Sequence, residues 1–551
     1  MMKRIFITLL LLLSQLYVCA GDVLLRFGAI SDNHLDRRAP DSWERTRLAF
    51  EFFKKQKVDF FVDAGDVTDT YQVDMFKLWR KMYLEVFSDE SSRPDFLMIP
   101  AGHDKSGAES TAAGYAEFVK QTGSGAVNPV KVVKGYHFVS LAQWQSVDIL
   151  KKNLDAAVAG SKPGQPIFVV THVPPKNTTG GSSSKAGGDE KVRKLLDKYP
   201  QVITLSGHTH NRLLDERSIW QGTFTAVNLG TLAYCGNGGI ANPTDRPKSH
   251  DASIWEVYAD KVIVRRFNVR TGTELFPERR WTVPLPFKAE SAPYSAKSRK
   301  NFPVAEFGAD AKINFTPEFA APHRWGKLLI PALKKNPFAL NSYLVKVEKK
   351  SASGGFEHYG MLSFTRTVMP DAVSGEVFTF PAGYLDGNSS YRVTVTPVSF
   401  FDRSGRAITG GFHVGVVPWR EVAARHEAVW QPWKSSKVLP VAGDGFVFVE
   451  GDVRYRLPFQ AVETTRKLKL KSVAVSMDIE CIGKGTPAML RISNDRNRII
   501  TLNTGSYRKT AQKQRYSFIF QPDKKSKQFF LLIRRGSAAK YRICNVRTFV
   551  Y

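Results

Sequence analysis

The sequence predicts an α/β domain followed by two all-β sandwich domains. Three observations predict it. Between residues 22 and 285, short apolar runs ending in Asp, His, Gly or Pro alternate with helical patterns. That alternation is expected of strands buried in a sheet whose faces carry helices. Residues 286–315 are rich in Pro, Ser, Ala and Lys with weak periodicity and read as a linker. From residue 316 onward the helical period is lost, and apolar and polar residues alternate between turn signals, which argues for sheet packed on sheet. A chain of 551 residues exceeds what one core organises, so several domains are expected.

Taken in order, the chain opens with MMKRIFITLLLLLSQLYVCAGD. Lys3 and Arg4 precede an apolar stretch from Ile5 to Val18, and Val18-Cys19-Ala20 resembles a small-residue cleavage site. This is the pattern of a signal peptide over residues 1–20, and it places the mature protein in a secreted or periplasmic setting. Cys19 raises lipoprotein anchoring as an alternative, which Val18 immediately before it disfavours. No other apolar run is long enough to cross a bilayer.

The α/β segment begins with VLLRFGAISD, a strand, followed by Asp41-Ser42-Trp43-Glu44, which has the form of a capping box opening a helix with Leu48, Ala49, Phe52 and Phe53 on one face. VDFFVDAGD is the next strand, and a helical stretch follows through Phe76, Trp79 and Tyr83. DFLMIPAGHD, QPIFVVTHVPP and QVITLSGHTH repeat the theme, and FTAVNLGTL with ASIWEVYADKVIVRRFNVR closes the segment. In sheets of this kind, functional residues gather at the carboxyl ends of the strands.

Residues 316–420 and 425–551 are the two sandwiches. In the first, Leu385 and then Tyr391, opening the strand Tyr391–Thr396, resemble the tyrosine-corner region of a fibronectin type III domain. The second is similar to the jelly rolls of carbohydrate-binding modules, where Trp430 or Trp433 would either stack on a sugar or fill the core. After removal of the signal, Cys235, Cys481 and Cys544 remain, too few for a disulfide scaffold. Cys481 and Cys544 lie in strand-like runs and either pair in an oxidising compartment or stay buried thiols.

The formal charge is +28. Such basicity favours anionic partners, among them phosphate esters, nucleic acid, anionic glycans and a negatively charged cell surface. The basic residues are spread along the chain, so a solvated basic surface accounts for them equally well.

The polar residues at the strand ends form an ordered set: Asp32 and His34 in SDNHLD, Asp66 and Asp69 in GDVTD, His103 and Asp104 in GHD, His172 in THVPP, and His208 and His210 in GHTH. Alone, an Asp after Gly is a turn residue and a single His is structural. Five such pieces on five successive strand ends call for a common purpose. Mixed carboxylates and imidazoles suit divalent first-row ions such as Mn, Fe and Zn, and a shared carboxylate permits two of them side by side, an arrangement used by phosphatases.

The order and spacing resemble the calcineurin-like metallophosphoesterase family, with its D-x-H, GDxxD, GNHD or GNHE, lone His and GHxH motifs, over residues 24 to 270. Asn228-Leu229-Gly230 matches the family's asparagine-containing turn. The resemblance implies a four-layer α/β/β/α sandwich and two divalent metal ions. It implies that Asp32, His34 and His210 hold the first ion, His172 and His208 the second, and that Asp66 bridges. It further implies His103 as the acid beside the leaving group, with Asp104 as the carboxylate behind it, while Asp69 shapes the loop. One position departs from the family: Gly102 stands where the family's ligand asparagine is expected. The second ion is therefore less well held, or the site works with one.

The implied activity is hydrolysis of a phosphate mono- or diester. Candidate substrates are nucleotides, lipid-headgroup diesters and phosphorylated glycans. The alternative is a catalytically impaired relative that acts as a secreted glycan- or surface-binding protein. GDxxD rather than GDxxY argues against the purple acid phosphatase branch. The Gly/Ser-rich stretch after His172, KNTTGGSSSKAGGDEK, is either a flexible gate or a spacer.

Overall fold

The computed structural model describes residues 21–179, 188–235, 248–316, 324–365, 376–381, 383–417, 420–422, 430–440, 446–456, 473–482, 489–494, 499–501, 512–520, 529–534 and 540–550. The expected signal peptide and Cys19 lie outside them. Described residues up to Phe302 form one unit, and those from Pro303 onward form a second.

In the first unit the strands are β1 (Leu25–Ile30), β2 (Phe60–Asp63), β3 (Asp95–Met98), β4 (Val130–Val133), β5 (Tyr136–Leu141), β6 (Ile167–Thr171), β7 (Val202–Ser206), β8 (Ile219–Gln221), β9 (Thr225–Asn228), β10 (Asp251–Val257), β11 (Lys261–Asn268), β12 (Thr273–Glu274) and β13 (Trp281–Pro284). The helices that cover them are α1 (Asp41–Lys55), α2 (Val73–Val86), α3 (Thr111–Thr122), α4 (Val147–Gly160) and α5 (Glu190–Leu196). One sheet has the order β12-β11-β10-β1-β2-β3, with β13 also on β11, and the other runs β4-β5-β6-β7-β9-β8. β1, β2 and β3 are mutually parallel, as are β5, β6, β7 and β9. The carboxyl ends within each parallel set therefore open on one edge.

The two-residue period of the strands builds four layers. Phe27 and Ala29 of β1, Phe60 and Val62 of β2, Phe138 of β5, and Phe168 and Val170 of β6 join one core between the sheets. Their neighbours Ile30 and Phe61 point the other way, into a core with Phe50, Phe53, Phe76 and Trp79 of α1 and α2. Val139 and Val169 meet Leu150 and Leu154 of α4 and Val192 and Leu196 of α5. At the centre, the Phe27 ring stacks on Trp255 with centroids 5.4 Å apart and meets Phe138 and Phe168 edge-on. Each such buried side chain contributes about 1.5–3 kcal/mol, which fixes the sheets against one another beneath the loops.

Two local expectations come out differently. Helix α1 forms as expected, but its N-cap is Pro40 and no side chain caps it. The Asp41 carboxylate, the capping group of the expected box, accepts from Arg45 one turn on instead, and the Ser42 hydroxyl accepts from the Asp36 N–H at 3.2 Å and donates to the Ala39 carbonyl at 2.7 Å. Within the stretch expected as a linker, Tyr294 is buried in the core between the sheets and its N–H donates to the Gln221 side-chain oxygen at 3.0 Å. The periodicity is weak there because a short irregular segment packs through single residues.

In the second unit, Asn314–Thr316, Arg324–Ile330 and Glu376–Pro381 form a three-stranded antiparallel sheet. Phe356–Thr365, Leu340–Lys350 and Ser389–Ser399 form another, to which Arg403–Ser404 and Ile408–Val414 add. The buried Tyr391 hydroxyl accepts from the Asp386 N–H at 2.7 Å. The C-terminal part is a nine-stranded sheet. There the register sets Cys481 opposite Tyr541 and Cys544 opposite Asp478, so the two cysteines do not face each other across the strands. The side chains of Trp430 and Trp433 lie outside the described residues. No α-helix occurs among the described residues of this unit, as the alternation of its sequence predicts.

Candidate metal centre

The site forms where β1, β2, β3, β6 and β7 end. The loop after β1 zips to the loop after β2: the N–H groups of Asp32, His34 and Leu35 donate to the carbonyls of Gly65, Asp66 and Val67 at 2.8–3.0 Å. The loops after β6 and β7 join through the Gly207 N–H and the His172 carbonyl at 2.9 Å. The two sheets meet where the His208 N–H reaches both Asp32 carboxylate oxygens, at 3.0 and 3.1 Å. That approach requires glycine at 207, where a β-carbon would lie 1.9 Å from the Ser31 hydroxyl and 2.3 Å from an Asp32 oxygen.

Asp32, His34, Asp66, His208 and His210 all have positive φ, between 46° and 70°. Left-handed backbone costs a non-glycine residue on the order of 1–3 kcal/mol and persists where surrounding structure enforces it. Five occurrences in one cluster mark a site assembled for a purpose other than stability.

The side chains converge in three groups whose ligand atoms lie within 4.8 Å of one another: Asp32, His34 and His210; Asp66, His172 and His208; and His34, Asp66 and His103. Asp32 Oδ1 is 3.1 Å from His210 Nε2 and 3.9 Å from His34 Nε2. Asp66 Oδ2 is 3.0 Å from His172 Nε2 and 4.0 Å from His34 Nε2, so it stands between the first two groups. The structure thus brings together all six residues expected as ligands.

The imidazoles share a tautomer. The Nδ1–H of His34 faces Asp69 Oδ1 at 3.1 Å, that of His172 the Ala64 carbonyl at 3.0 Å, and that of His210 the Tyr234 carbonyl at 2.7 Å. With each Nδ1 engaged, the Nε2 lone pairs turn inward, the form a metal-binding imidazole takes. His34 Nε2 and His210 Nε2 face each other at 3.2 Å, and the buried His172 Nε2 has no hydrogen-bond partner. Facing lone pairs need a positive charge between them, so this donor set fits a divalent first-row ion.

In the protein alone, protons serve that need. Burial opposes charging His34, but the nearby Asp32 carboxylate, the hydrogen bond to Asp69 and the Asp66 charge outweigh burial and raise its pKa to about 10. Burial likewise opposes charging His172, and the Asp66 charge raises it to about 9. Burial would raise Asp32 and Asp66, yet His210 beside the first and His172 beside the second hold both carboxyls well below the usual range. His208 is depressed by burial and by the His172 charge, although its residue as a whole is exposed.

The remaining expected residues take up places around this core. His103 sits at the rim, its N–H donating to Asp66 Oδ1 at 2.9 Å and its Nδ1 facing the Asp69 carbonyl at 2.6 Å. Asp104 does not stand behind His103, contrary to expectation. Its carboxylate accepts from the Thr68 N–H and hydroxyl and from the Ala101 N–H, at 2.9, 3.2 and 2.9 Å, so it ties the β2 and β3 loops together. Burial, then the Asp66 charge, pushes its pKa to about 7. Asp69 does more than shape its loop, since it meets His34 with its carboxylate and His103 with its carbonyl. Buried Asn228 donates to the Gly207 carbonyl at 2.6 Å and accepts from the Thr209 hydroxyl at 3.0 Å, holding the GHTH turn. Asn33 turns away to Asp63 at 2.7 Å. Residues 180–187 of the Gly/Ser-rich stretch after His172 lie outside the described residues, and Lys176 at its start pairs with Glu190.

Residues 25–212 match the family model described as calcineurin-like phosphoesterase. Similar solved structures include a dimetal phosphatase from Danio rerio, at 12% identity over 48% of this chain and 99% of that one, with a TM-score of 0.34. A purple acid phosphatase from yellow lupin (Lupinus luteus) seeds matches at 12% identity over 47% of this chain and 53% of that one, TM-score 0.36. A xylan-binding domain from Paenibacillus barcinonensis matches at 11% identity over 22% of this chain and 85% of that one, TM-score 0.18. No protein of curated function matches the sequence. Among the described residues, no helix is long and apolar enough to cross a membrane. The family match spans the loops that carry Asp32, Asp66, His103, His172, His208 and His210, and with them the N-terminal part of the chain belongs to the calcineurin-like phosphoesterases, hydrolases of ester bonds.

Proposed function

We propose that the chain is a secreted or periplasmic phosphoesterase that hydrolyses a phosphate mono- or diester with two divalent ions, Mn, Fe or Zn. The observation that carries this reading is the convergence of three inward-facing Nε2 atoms on Asp32 and Asp66. Asp32, His34 and His210 would hold one ion, His172 and His208 the other, with Asp66 between. When bound, such ions polarise the phosphoryl oxygen and acidify the attacking water.

The chain's own residues supply the rest. Asp69, Ala64 and Tyr234 fix the ring orientations through the Nδ1 atoms. His103 gives its Nδ1–H to the Asp69 carbonyl, which leaves Nε2 unengaged; in the imidazolium form, with a proton on each nitrogen, His103 would pass the Nε2 proton to the departing oxygen as the phosphorus–oxygen bond breaks and be left neutral. Asp66 holds the His103 main chain beside the reacting centre. In the second unit, the bond between the Tyr391 hydroxyl and Asp386 supports a fibronectin type III-like sandwich. The net charge of +28 favours a phosphorylated glycan, lipid headgroup or nucleotide, or an anionic surface polymer as partner. Gly102 favours a second reading, an impaired hydrolase that binds glycans or surfaces.

Turnover of p-nitrophenyl phosphate and bis(p-nitrophenyl) phosphate with added Mn²⁺ separates the two. Hydrolysis of either ester that vanishes in His103→Ala supports the enzyme, and the preferred ester assigns the class. A wild type that binds Mn²⁺ yet turns over neither ester, while Gly102→Asn does, would favour the binding reading.

A further inference from the structure

Position 102 leaves the second group one side chain short, and the space where that side chain would begin is already taken. A β-carbon on Gly102 would lie 3.1 Å from the side-chain oxygen of Gln143, 3.9 Å from its carboxamide carbon and 3.4 Å from the Trp144 ring. Gln143 follows β5 by two residues, and its carboxamide has no hydrogen-bond partner among the described residues. Gln143 is half-buried beside Gly102, so its unengaged carboxamide is available to a ligand there.

The backbone around Gln143 is held. Its carbonyl accepts from the hydroxyl of buried Tyr115 at 3.0 Å, and the Gln145 N–H closes a turn on Ala142 at 3.2 Å. Trp144 has a φ of 63°, and Lys105 Nζ lies over its ring at 4.4 Å. The neighbouring Gly102–His103 peptide is fixed beside Asp66 by the His103 N–H bond. Just beneath it, a β-carbon on Gly65 would lie 2.8 Å from Ala101 and 3.4 Å from His172 Nδ1. The Gln143 oxygen thus lies against the residue that precedes His103, whose N–H is bonded to Asp66.

We propose that Gln143 supplies, from the loop after β5, the neutral amide oxygen that the site lacks at Gly102, completing the donor set of Asp66, His172 and His208 for the second divalent cation. A carboxamide oxygen suits Mn²⁺ as a ligand. Glycine at 102 and glutamine at 143 are then complementary: the missing side chain makes the room that the longer one uses. The inference rests on the two-ion reading above.

The test counts Mn²⁺ bound to the full-length, metal-stripped protein by calorimetric titration and elemental analysis. Wild type should bind two ions per chain. Gln143→Ala should keep one unchanged and weaken the other at least about tenfold, a loss no smaller than that of an outer hydrogen-bond partner. The retained ion reports that the variant is folded. Gln143→Glu should keep both, and Gly102→Asn added to Gln143→Ala should restore the second. Two ions of unchanged affinity in Gln143→Ala overturn the proposal while leaving the two-ion reading intact. Failure of Gly102→Asn to restore what Gln143→Ala removed overturns it too. A wild type that binds fewer than two ions overturns both together.

Discussion

Around Asp32, His34 and His210 every side chain is buried, and the two imidazoles are steered by Asp69 and Tyr234. Around Asp66, His172 and His208 the enclosure is partial. His172 is buried and held by Ala64, whereas His208 is exposed and Gly102 offers no side chain. One half of the centre is closed, and the other opens toward solvent, His103 and the Gln143 loop. The difference teaches how labour divides in such a site. A closed half holds its ion by donors alone, while an open half leaves a position at which water or substrate oxygen completes the shell.

The strongest way to break the comparison is to remove what joins the halves. Asp66→Asn should cost Mn²⁺ at both positions and abolish turnover, because Asp66 lies within 4.0 Å of His34 and 3.0 Å of His172. Elemental analysis after dialysis reads it, and one ion retained on the closed side would show that the halves are independent.

Next is His103→Gln. The acid contributes about 10²–10⁴-fold to the rate, so kcat should fall by that amount with both ions still bound. A large loss of metal instead would make His103 a ligand, as its grouping with His34 and Asp66 permits.

Asp69→Ala should act on the closed half. Loss of a hydrogen-bond partner behind a ligating histidine costs about 10–100-fold in metal affinity or activity, and the effect should fall on the ion held by His34.

The smallest effect is on pH dependence, and it sharpens the contrast between metal-free and metal-loaded protein. In the metal-free protein the folded pKa of His34 is raised to about 10 and that of His172 to about 9. Their contribution to stability is complete below the unfolded value of about 6.5 and is lost as pH rises through the folded values. Asp32 and Asp66 are lowered, so their contribution is complete above about pH 4 and disappears as pH falls through their folded values. Melting of the metal-stripped protein should therefore drop between pH 7 and pH 10, and saturating Mn²⁺ should flatten that slope by replacing the protons. An unchanged slope would mean that the ions do not occupy these histidines.

The six positions proposed as ligands were legible because each follows a buried strand in chain order, so the spacing of apolar runs carries the spacing of the site. The four layers follow from a two-residue period that sends Phe60 and Phe61 to opposite cores. What the sequence could not reveal are partners set by loop closure across long separations. Asp104 binds Thr68 rather than backing His103 because the β2 and β3 loops must be tied. Asp69 reaches His34 35 positions away. Gln143 sits in a run, LAQWQS, with no motif of its own, and its place beside Gly102 appears only once both sheets are packed. The capping box expected at Asp41 does not form because the helix already starts there and the Asp41 carboxylate pairs with Arg45.

The most direct test of the account is hydrolysis of both nitrophenyl esters by metal-stripped protein as Mn²⁺ is titrated back, beside His103→Ala. Without metal there should be no turnover; with added Mn²⁺ turnover should rise to saturation, and His103→Ala should lose it while still binding metal. Turnover that is independent of Mn²⁺, or that persists in His103→Ala, would contradict the account.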